Sequence, residues 1–256
     1  MGVNPEVSLM TIHISHAIIM RTWEFGETDL LVSFFTSDKG RLKGVAKGAR
    51  KSMKRFANCL DLFSPVKLEY ELKRGRELYF IHSGKLVHGF PGIRSDFSSL
   101  SFASYMAELT EILFPVGVVA KRMFELLNGS FAALNENENI DELRVLFESK
   151  AMALGGYGID LSRCCNCGRL YKEEGRAVFK RKKGGIACLK CEKESRNSPG
   201  LGPATVKTLR VIQSTPWAKA QTLDLTKEMI YEIKPVLKLH IEYRIGQRLK
   251  TSEYLE

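Results

Sequence analysis

The sequence lacks any long apolar run. A helix that crosses a membrane needs about 20 consecutive apolar residues, and no stretch approaches that length. The start of the chain has no lysine or arginine before Arg21, so the basic first region of a secretion signal is missing too. We therefore expect neither a membrane anchor nor a signal peptide, and the sequence predicts a cytoplasmic protein.

Recognisable catalytic motifs are also missing. The phosphate-binding pattern GxxxxGK[ST], the dinucleotide-binding pattern GxGxxG, the zinc-protease pattern HExxH and the esterase pattern GxSxG do not occur. The five histidines are scattered along the chain and match no metal-binding pattern. We therefore expect a protein that is not an enzyme.

The chain does have a positive charge, and this charge is unevenly distributed. The total is +10, of which residues 1–91 carry +5, 92–162 carry −5, 163–196 carry +7 and 197–256 carry +3. Two basic segments therefore flank an acidic one. Such asymmetry is typical of proteins that contact nucleic acid or another anionic surface, although charge can also serve solubility alone.

The first third of the chain has a strand pattern. In VKLEYELK, the apolar residues Val66, Leu68, Tyr70 and Leu72 alternate with charged ones, as in a strand with one buried face. Short segments of this kind, separated by turn sequences, predict a small closed β-barrel with the OB-fold as the leading choice. The predicted strands are residues 17–21, 29–36, 40–46, 66–73 and 77–83.

After PGIR at residues 91–94 the pattern changes to helix. Apolar residues recur at a spacing of three to four in residues 98–113, behind a serine-rich start that suits capping. The pattern returns in 118–134 and 141–154 and again beyond 196. Pro203 suits the first position of a helix, whereas Pro235 is expected to kink or divide one.

These patterns predict an α+β protein in which one helical domain carries an insertion. Residues 1–9 show no periodicity and are predicted to be a flexible extension. The predicted organisation is an OB-fold nucleic-acid-binding domain at 1–87, a helical domain at 88–162 and 197–256, and a zinc-ribbon-like insertion at 163–196.

Four of the six cysteines form two matched pairs, Cys164-x2-Cys167 and Cys188-x2-Cys191. Such pairs are typical of a tetrahedral Zn²⁺ site with four sulfur ligands, which leaves no open position and is therefore structural. Two disulfides are the alternative, but a chain without a secretion signal argues against them. Cys165 interrupts the spacing and is interpreted as a bystander thiol. Cys59 is expected to be a buried small hydrophobic residue.

The stretch KGRLKGVAKGARKSMKR, residues 39–55, has eight cations, no anion and three glycines. Eight like charges in one short stretch repel one another unless a polyanion or counterions offset them. The glycines would allow backbone N–H groups and long cations to approach phosphates together. We therefore favour a polynucleotide-binding segment over a merely solvated face. Phe34, Phe35 and Phe56 lie close in sequence and would add base stacking if they are exposed.

The order of these motifs resembles the RecO family of bacterial recombination mediators. The resemblance covers nearly the whole chain from about residue 14. It rests on FGETDLLVSFFTSDKGRLKGVAKGAR, ALGGYGIDLSRCCNCG, GGIACLKC and LHIEYRIGQRLKTSEYL. It implies an OB-fold, a helical domain with a zinc module, and a non-enzymatic role in DNA repair at the nucleoid. That role is to bind single- and double-stranded DNA, anneal complementary strands, and help load RecA together with RecR.

The resemblance also assigns residues. It implies that Cys164, Cys167, Cys188 and Cys191 hold zinc. A further partner in the family is the acidic, apolar-ended tail of the single-stranded-DNA-binding protein, for which Lys121 and Arg122 are candidate contacts. The implied DNA contacts are Arg41, Lys43, Lys47 and Arg50, with Lys39, Lys51, Lys54 and Arg55 as neighbours.

Two other functions use the same features differently. An RNA-binding protein of translation or transcription could combine a barrel with a zinc ribbon, and it would prefer RNA if it reads the 2′-hydroxyl. A zinc nuclease would need an open position on the metal.

Overall fold

The computed structural model describes residues 11–52, 54–136 and 138–255. The predicted flexible extension at 1–9 lies outside these ranges. None of the helices in the described part of the chain is long and apolar enough to cross a membrane.

The chain divides into two compact units. The barrel unit consists of residues up to Phe90 together with Pro115–Phe124, and the helical unit consists of Pro91–Phe114 and Glu125–Glu256. A short segment between two helices of the sequence therefore belongs to the barrel unit.

Five strands of the barrel unit close into a barrel in the order β1-β2-β3-β5-β4. All pairings are antiparallel except that of β3 with β5, where Gly44 lies opposite Tyr79. This arrangement confirms the OB-type barrel predicted from the strand pattern. The strands are β1 (His13–Phe25), β2 (Asp29–Thr36), β3 (Gly40–Ala46), β4 (Pro65–Glu71) and β5 (Tyr79–Leu86).

Alternating side chains fill the barrel, as the sequence predicts. Val66, Leu68 and Tyr70 of β4 are fully buried, and Cys59 packs with them as a small hydrophobic residue. Leu72 is the exception and is 46% exposed. The reason is that β4 ends at Glu71, so the alternation no longer applies to the next residue.

Four helices follow the barrel strands in sequence, and caps are defined for the second and the fourth. The start of the third helix, residues 121–124, belongs to the barrel unit. The side chain of Asp96 accepts a hydrogen bond from Ser99 N at 2.7 Å, so the cap of α2 is this aspartate and not a serine as predicted. Gly155 is the C-cap residue of α4. The helices are α1 (Pro91–Ser95), α2 (Phe97–Leu113), α3 (Lys121–Asn135) and α4 (Ile140–Leu154).

The last helices are α5 (Pro203–Ser214), α6 (Trp217–Ala220) and α7 (Lys227–Ile245). Pro203 occupies the first turn of α5, as predicted. Pro235 lies inside α7 without dividing it. A proline removes the hydrogen bond to the carbonyl four residues earlier, here that of Tyr231.

A small sheet lies between α4 and α5 in sequence. Its order is β6-β8-β7-β9, and β7 and β8 form an antiparallel hairpin with Phe179 opposite Ile186. Both of these side chains are buried. The strands are β6 (Asp160–Cys164), β7 (Ala177–Lys180), β8 (Gly185–Cys188) and β9 (Gly200–Leu201).

Candidate nucleic-acid interface and metal site

The eight cations of residues 39–55 lie on β3, on the turn before it and on the segment that follows it. We call them the barrel cation cluster: Lys39, Arg41, Lys43, Lys47, Arg50, Lys51, Lys54 and Arg55. On β3 the burial alternates, with Leu42, Gly44 and Ala46 inside. Arg41 and Lys43 therefore point out of the barrel because strand geometry places alternate residues on opposite faces.

The turn after β3 is held in one conformation. Gly48 has a φ of 65°, in the left-handed region that favours glycine. The Asp29 carboxylate accepts a hydrogen bond from Gly48 N at 2.8 Å. This bond is the main reason that the pKa of Asp29 lies below its usual value. Arg50 N donates to Thr28 O at 3.0 Å, which fixes the short 3-10 helix Ala49–Lys51 on the β1–β2 turn.

Two arginines of the barrel cation cluster have partners within the protein. The Arg50 guanidinium pairs with Glu24 at 3.1 Å and donates to Glu27 O. Arg55 donates to Lys47 O at 2.7 Å, and its guanidinium lies over the Phe56 ring. These interactions give both arginines a structural role in addition to their charge.

Four lysines of the cluster differ from these arginines. Lys43, Lys47, Lys51 and Lys54 are exposed, and none is ion-paired with a carboxylate of the described residues. Lys39 and Arg41 are half-buried. The structure thus separates the predicted contacts into lysines available to an anion and arginines that also hold the turn.

None of the three phenylalanines considered for base stacking is exposed. Phe34, Phe35 and Phe56 are all buried in the barrel unit. Phe34 packs edge-on against Tyr70, and Phe35 stacks with Phe124. They therefore stabilise the fold and are not available to a base.

A groove in the barrel unit has a different set of aromatic residues. It has a volume of about 550 Å³ and is lined by Phe25, Lys47, Lys73, Arg76 and Phe80, among others. The Lys73 ammonium lies 4.8 Å from the centre of the Phe80 ring. Sequence reasoning did not select Lys73 or Arg76. The signal was present in KRGRE at residues 73–77, a basic loop between two strands.

Lys121 and Arg122, the candidate partner contacts, are exposed and belong to the barrel unit. The segment that leads to them is attached to the start of β3, where Gly117 N donates to Arg41 O at 2.9 Å. Gly40 makes this possible, because a Cβ at this position would overlap the carbonyl oxygen of Val118. The two residues therefore lie in the same unit as the barrel cation cluster.

The four paired cysteines come together at one place in the helical unit. The Sγ atoms of Cys164, Cys167, Cys188 and Cys191 all lie within 4.8 Å of one another, and Cys165 is not part of this group. The six cysteines of the chain are free thiols. Sulfurs around a tetrahedral zinc ion with bonds of about 2.3 Å are separated by about 3.8 Å. The distance of 3.9 Å between the sulfurs of Cys167 and Cys188 fits this geometry.

Backbone N–H groups surround Cys164, the first of the four possible metal ligands. Gly168 has a φ of 74°, and its N–H donates to Cys164 O at 2.9 Å to close the turn. Cys188 N donates to the Cys164 sulfur at 3.3 Å. Burial by itself raises the pKa of Cys164, but N–H donors from Cys167, Cys188 and Asn166 outweigh burial and lower this pKa to about 6. A thiol that ionises readily suits a metal ligand.

Side-chain contacts attach the four-cysteine module to the helices. Arg176 pairs with Glu232 of α7 at 2.7 Å, and Glu232 also accepts a hydrogen bond from Gly202 N. The Phe179 ring meets His240 of α7 edge-on. The module is therefore part of the helical unit, and its four sulfurs fit a Zn²⁺ ion that would crosslink its two turns.

These features define a class of protein, namely an OB-fold protein with a helical unit that carries a four-cysteine module. Comparison of the sequence with known families identifies the family. Residues 10–90 match "Recombination protein O N terminal" and residues 94–253 match "Recombination protein O C terminal". The chain belongs to the RecO family.

Individual relatives support this assignment along most of the chain. The protein is 32% identical over 244 residues to "DNA repair protein RecO" of Desulfatibacillum aliphaticivorans, covering 94% of this chain and 95% of the relative. It is 28% identical over 247 residues to the protein of the same name from Syntrophus aciditrophicus, covering 95% of each. The protein of this name from Symbiobacterium thermophilum is 28% identical over 249 residues, covering 96% of this chain and 98% of the relative.

Proposed function

We propose that this protein is a DNA repair and recombination mediator that binds single- and double-stranded DNA and anneals complementary strands. The observation that supports it most is the set of exposed lysines Lys43, Lys47, Lys51 and Lys54 on a fixed surface of an OB-type barrel, none of them ion-paired with a carboxylate of the described residues. Such a set favours a phosphate backbone, whose binding releases counterions and needs no particular base sequence. The role would place the protein with chromosomal DNA in the cytoplasm.

Lysines arranged in this way would promote annealing without making or breaking a covalent bond. Two complementary strands repel one another through their phosphates, and cations that neutralise these phosphates lower the repulsion. Contacts to the backbone leave the base edges free to pair. We therefore propose that the protein is not an enzyme and that Zn²⁺, held by the four cysteines, has a structural role.

The proposed function also involves protein partners. Together with RecR, the protein would help to load RecA onto strands coated by the single-stranded-DNA-binding protein. The acidic tail of that coating protein would be attracted to Lys121 and Arg122, which are exposed cations beside the exposed apolar residues Val118 and Val119. This combination of charge and apolar surface suits an acidic tail with an apolar end.

The test is annealing of two complementary oligonucleotides, bare and coated, by the unaltered protein and by the variant K43E/K47E/K51E. A matched control is K207E/K219E/K227E, which reverses three exposed lysines of the helical unit. We expect annealing by the unaltered protein and the control, and a loss of at least about tenfold in rate for the barrel variant. Equal rates with and without the unaltered protein would refute the proposal. A preference for RNA over DNA of equal length would favour an RNA-binding protein instead.

A further inference from the structure

The tip of the β7–β8 hairpin is a second concentration of unpaired positive charge. Residues Arg181, Lys182 and Lys183 form the turn between the two strands, and all three are exposed. None of them is ion-paired with a carboxylate of the described residues. We call these three residues the hairpin-tip cations.

Two cations on the same hairpin, in contrast, are neutralised by carboxylates. Lys180, one residue before the tip, pairs with Glu192 at 2.6 Å. Arg176, at the start of the same hairpin, pairs with Glu194 at 2.7 Å and with Glu232. Glu192 and Glu194 of the module therefore pair with other cations of the hairpin and leave the tip charged.

The tip is also rigid. Lys180 lies opposite Gly185 in the strand register, and the N–H groups of Lys183 and Gly184 both donate to Lys180 O. Gly184 has a φ of 65°, and its carbonyl accepts from Asp160 N at 2.9 Å. Cations on a fixed turn lose less conformational freedom on binding than cations on a flexible tail.

A fourth cation from α7 joins the tip. The Arg244 guanidinium lies directly on Gly184, where a Cβ would overlap it. The Nε atom of Arg244 is buried and has no hydrogen-bond partner, and Arg244 is not ion-paired with any carboxylate of the described residues. Two distant parts of the helical unit thus bring positive charge to one place.

The geometry points to a second binding site for a nucleic-acid backbone, formed by the hairpin-tip cations and Arg244. This inference rests on the proposed function and adds a contact outside the barrel unit. Phosphates are the favoured ligand because the site consists of lysines and arginines, whose ammonium and guanidinium groups form charge-assisted hydrogen bonds with phosphate oxygens. With one strand on the barrel cation cluster and another at this site, a single chain would hold two strands at once.

Charge balance at the metal site is the competing explanation. Four thiolates around Zn²⁺ have a net negative charge, which cations nearby could offset. In that case reversing the tip would weaken the hold on zinc and leave nucleic-acid binding unchanged. The two explanations therefore differ in which ligand is lost.

The experiment uses the full zinc-loaded chain and two non-complementary single strands that carry different labels. Native mass spectrometry counts chains, zinc ions and strands in each complex, and titration gives the dissociation constant for the second strand. The variant is R181E/K182E/K183E. The matched control K207E/K219E/K227E makes the same change of charge at exposed, unpaired lysines elsewhere in the helical unit.

We expect one unaltered chain, and one control chain, to hold both strands. The hairpin variant should hold one strand, with the dissociation constant for the second raised at least about tenfold and with zinc retained. Second-strand binding equal to the control, or loss of zinc, would each overturn the inference. If the unaltered chain binds neither strand, the proposed function itself fails. If the barrel variant K43E/K47E/K51E loses a strand but the hairpin variant does not, only the second site fails.

Discussion

Replacement of Gly40 by alanine tests how the barrel cation cluster is supported. Gly40 has a φ of 70°, and a Cβ there would overlap the carbonyl oxygen of Val118. A left-handed conformation costs alanine about 1–2 kcal/mol. Separation of the two segments would also remove the bond from Gly117 N to Arg41 O, worth about 0.5–1.5 kcal/mol. We therefore expect Gly40→Ala to lower the free energy of unfolding of the barrel unit by about 1.5–3.5 kcal/mol.

The matched control is Gly26→Ala. Gly26 has a similar φ of 66°, but no atom lies within 4 Å of a Cβ at that position. This variant should therefore lose about 1–2 kcal/mol, from backbone strain alone. Urea unfolding followed by Trp23 fluorescence measures both values, in a Trp217→Phe background so that the signal comes from the barrel unit. Equal losses for the two variants would refute the close approach of residues 115–118 to β3.

Four further predictions concern the metal, the turn after β3 and pH. Cys164→Ser should abolish the binding of one zinc per chain, measured by metal analysis, and unchanged stoichiometry would contradict the four-sulfur site. Arg50→Ala should lower barrel stability by less than about 1 kcal/mol, because its ion pair is on the surface. Lys51→Ala should leave stability unchanged. It should instead flatten the plot of the logarithm of the single-strand binding constant against the logarithm of salt concentration by about 0.7. Burial, with Arg244 nearby, holds the pKa of His240 below 6.5 in the folded chain, despite a hydrogen bond to Tyr157 O that raises it. As pH falls, the imidazole is therefore protonated in the unfolded chain at a higher pH than in the folded chain. The free energy of unfolding should fall as pH drops below about 6.5, and His240→Gln should remove this part of its pH dependence.

Much of the barrel could be predicted because its sequence patterns are local. Alternation in β4 gave the buried residues Val66, Leu68 and Tyr70, and the same period put Arg41 and Lys43 outside. The cysteine spacing likewise predicted the four sulfurs that meet in the structure. In each case the contact partners are determined by strand geometry or by a tight turn.

The remaining features depend on contacts between residues far apart in sequence. The hydrogen bond from Gly117 N to Arg41 O joins segments 76 positions apart, and no local sequence pattern predicts it. The pairing of Arg50 with Glu24 has the same origin, so sequence alone could not separate the arginines of the turn from the lysines that have no ion pair among the described residues. Asp96 was missed as a cap because the serines that follow it are equally good capping residues.

The central claim is that lysines of the barrel neutralise a DNA backbone. The most direct measurement is the slope of the logarithm of the binding constant against the logarithm of salt concentration, for one single-stranded oligonucleotide. We expect K43E/K47E/K51E to flatten this slope by about 2 relative to the unaltered protein, since each phosphate contact on a single strand contributes about 0.7. The control K207E/K219E/K227E should leave it nearly unchanged. Equal slopes for the barrel variant and the control, or binding by the unaltered protein that does not respond to salt, would contradict the claim.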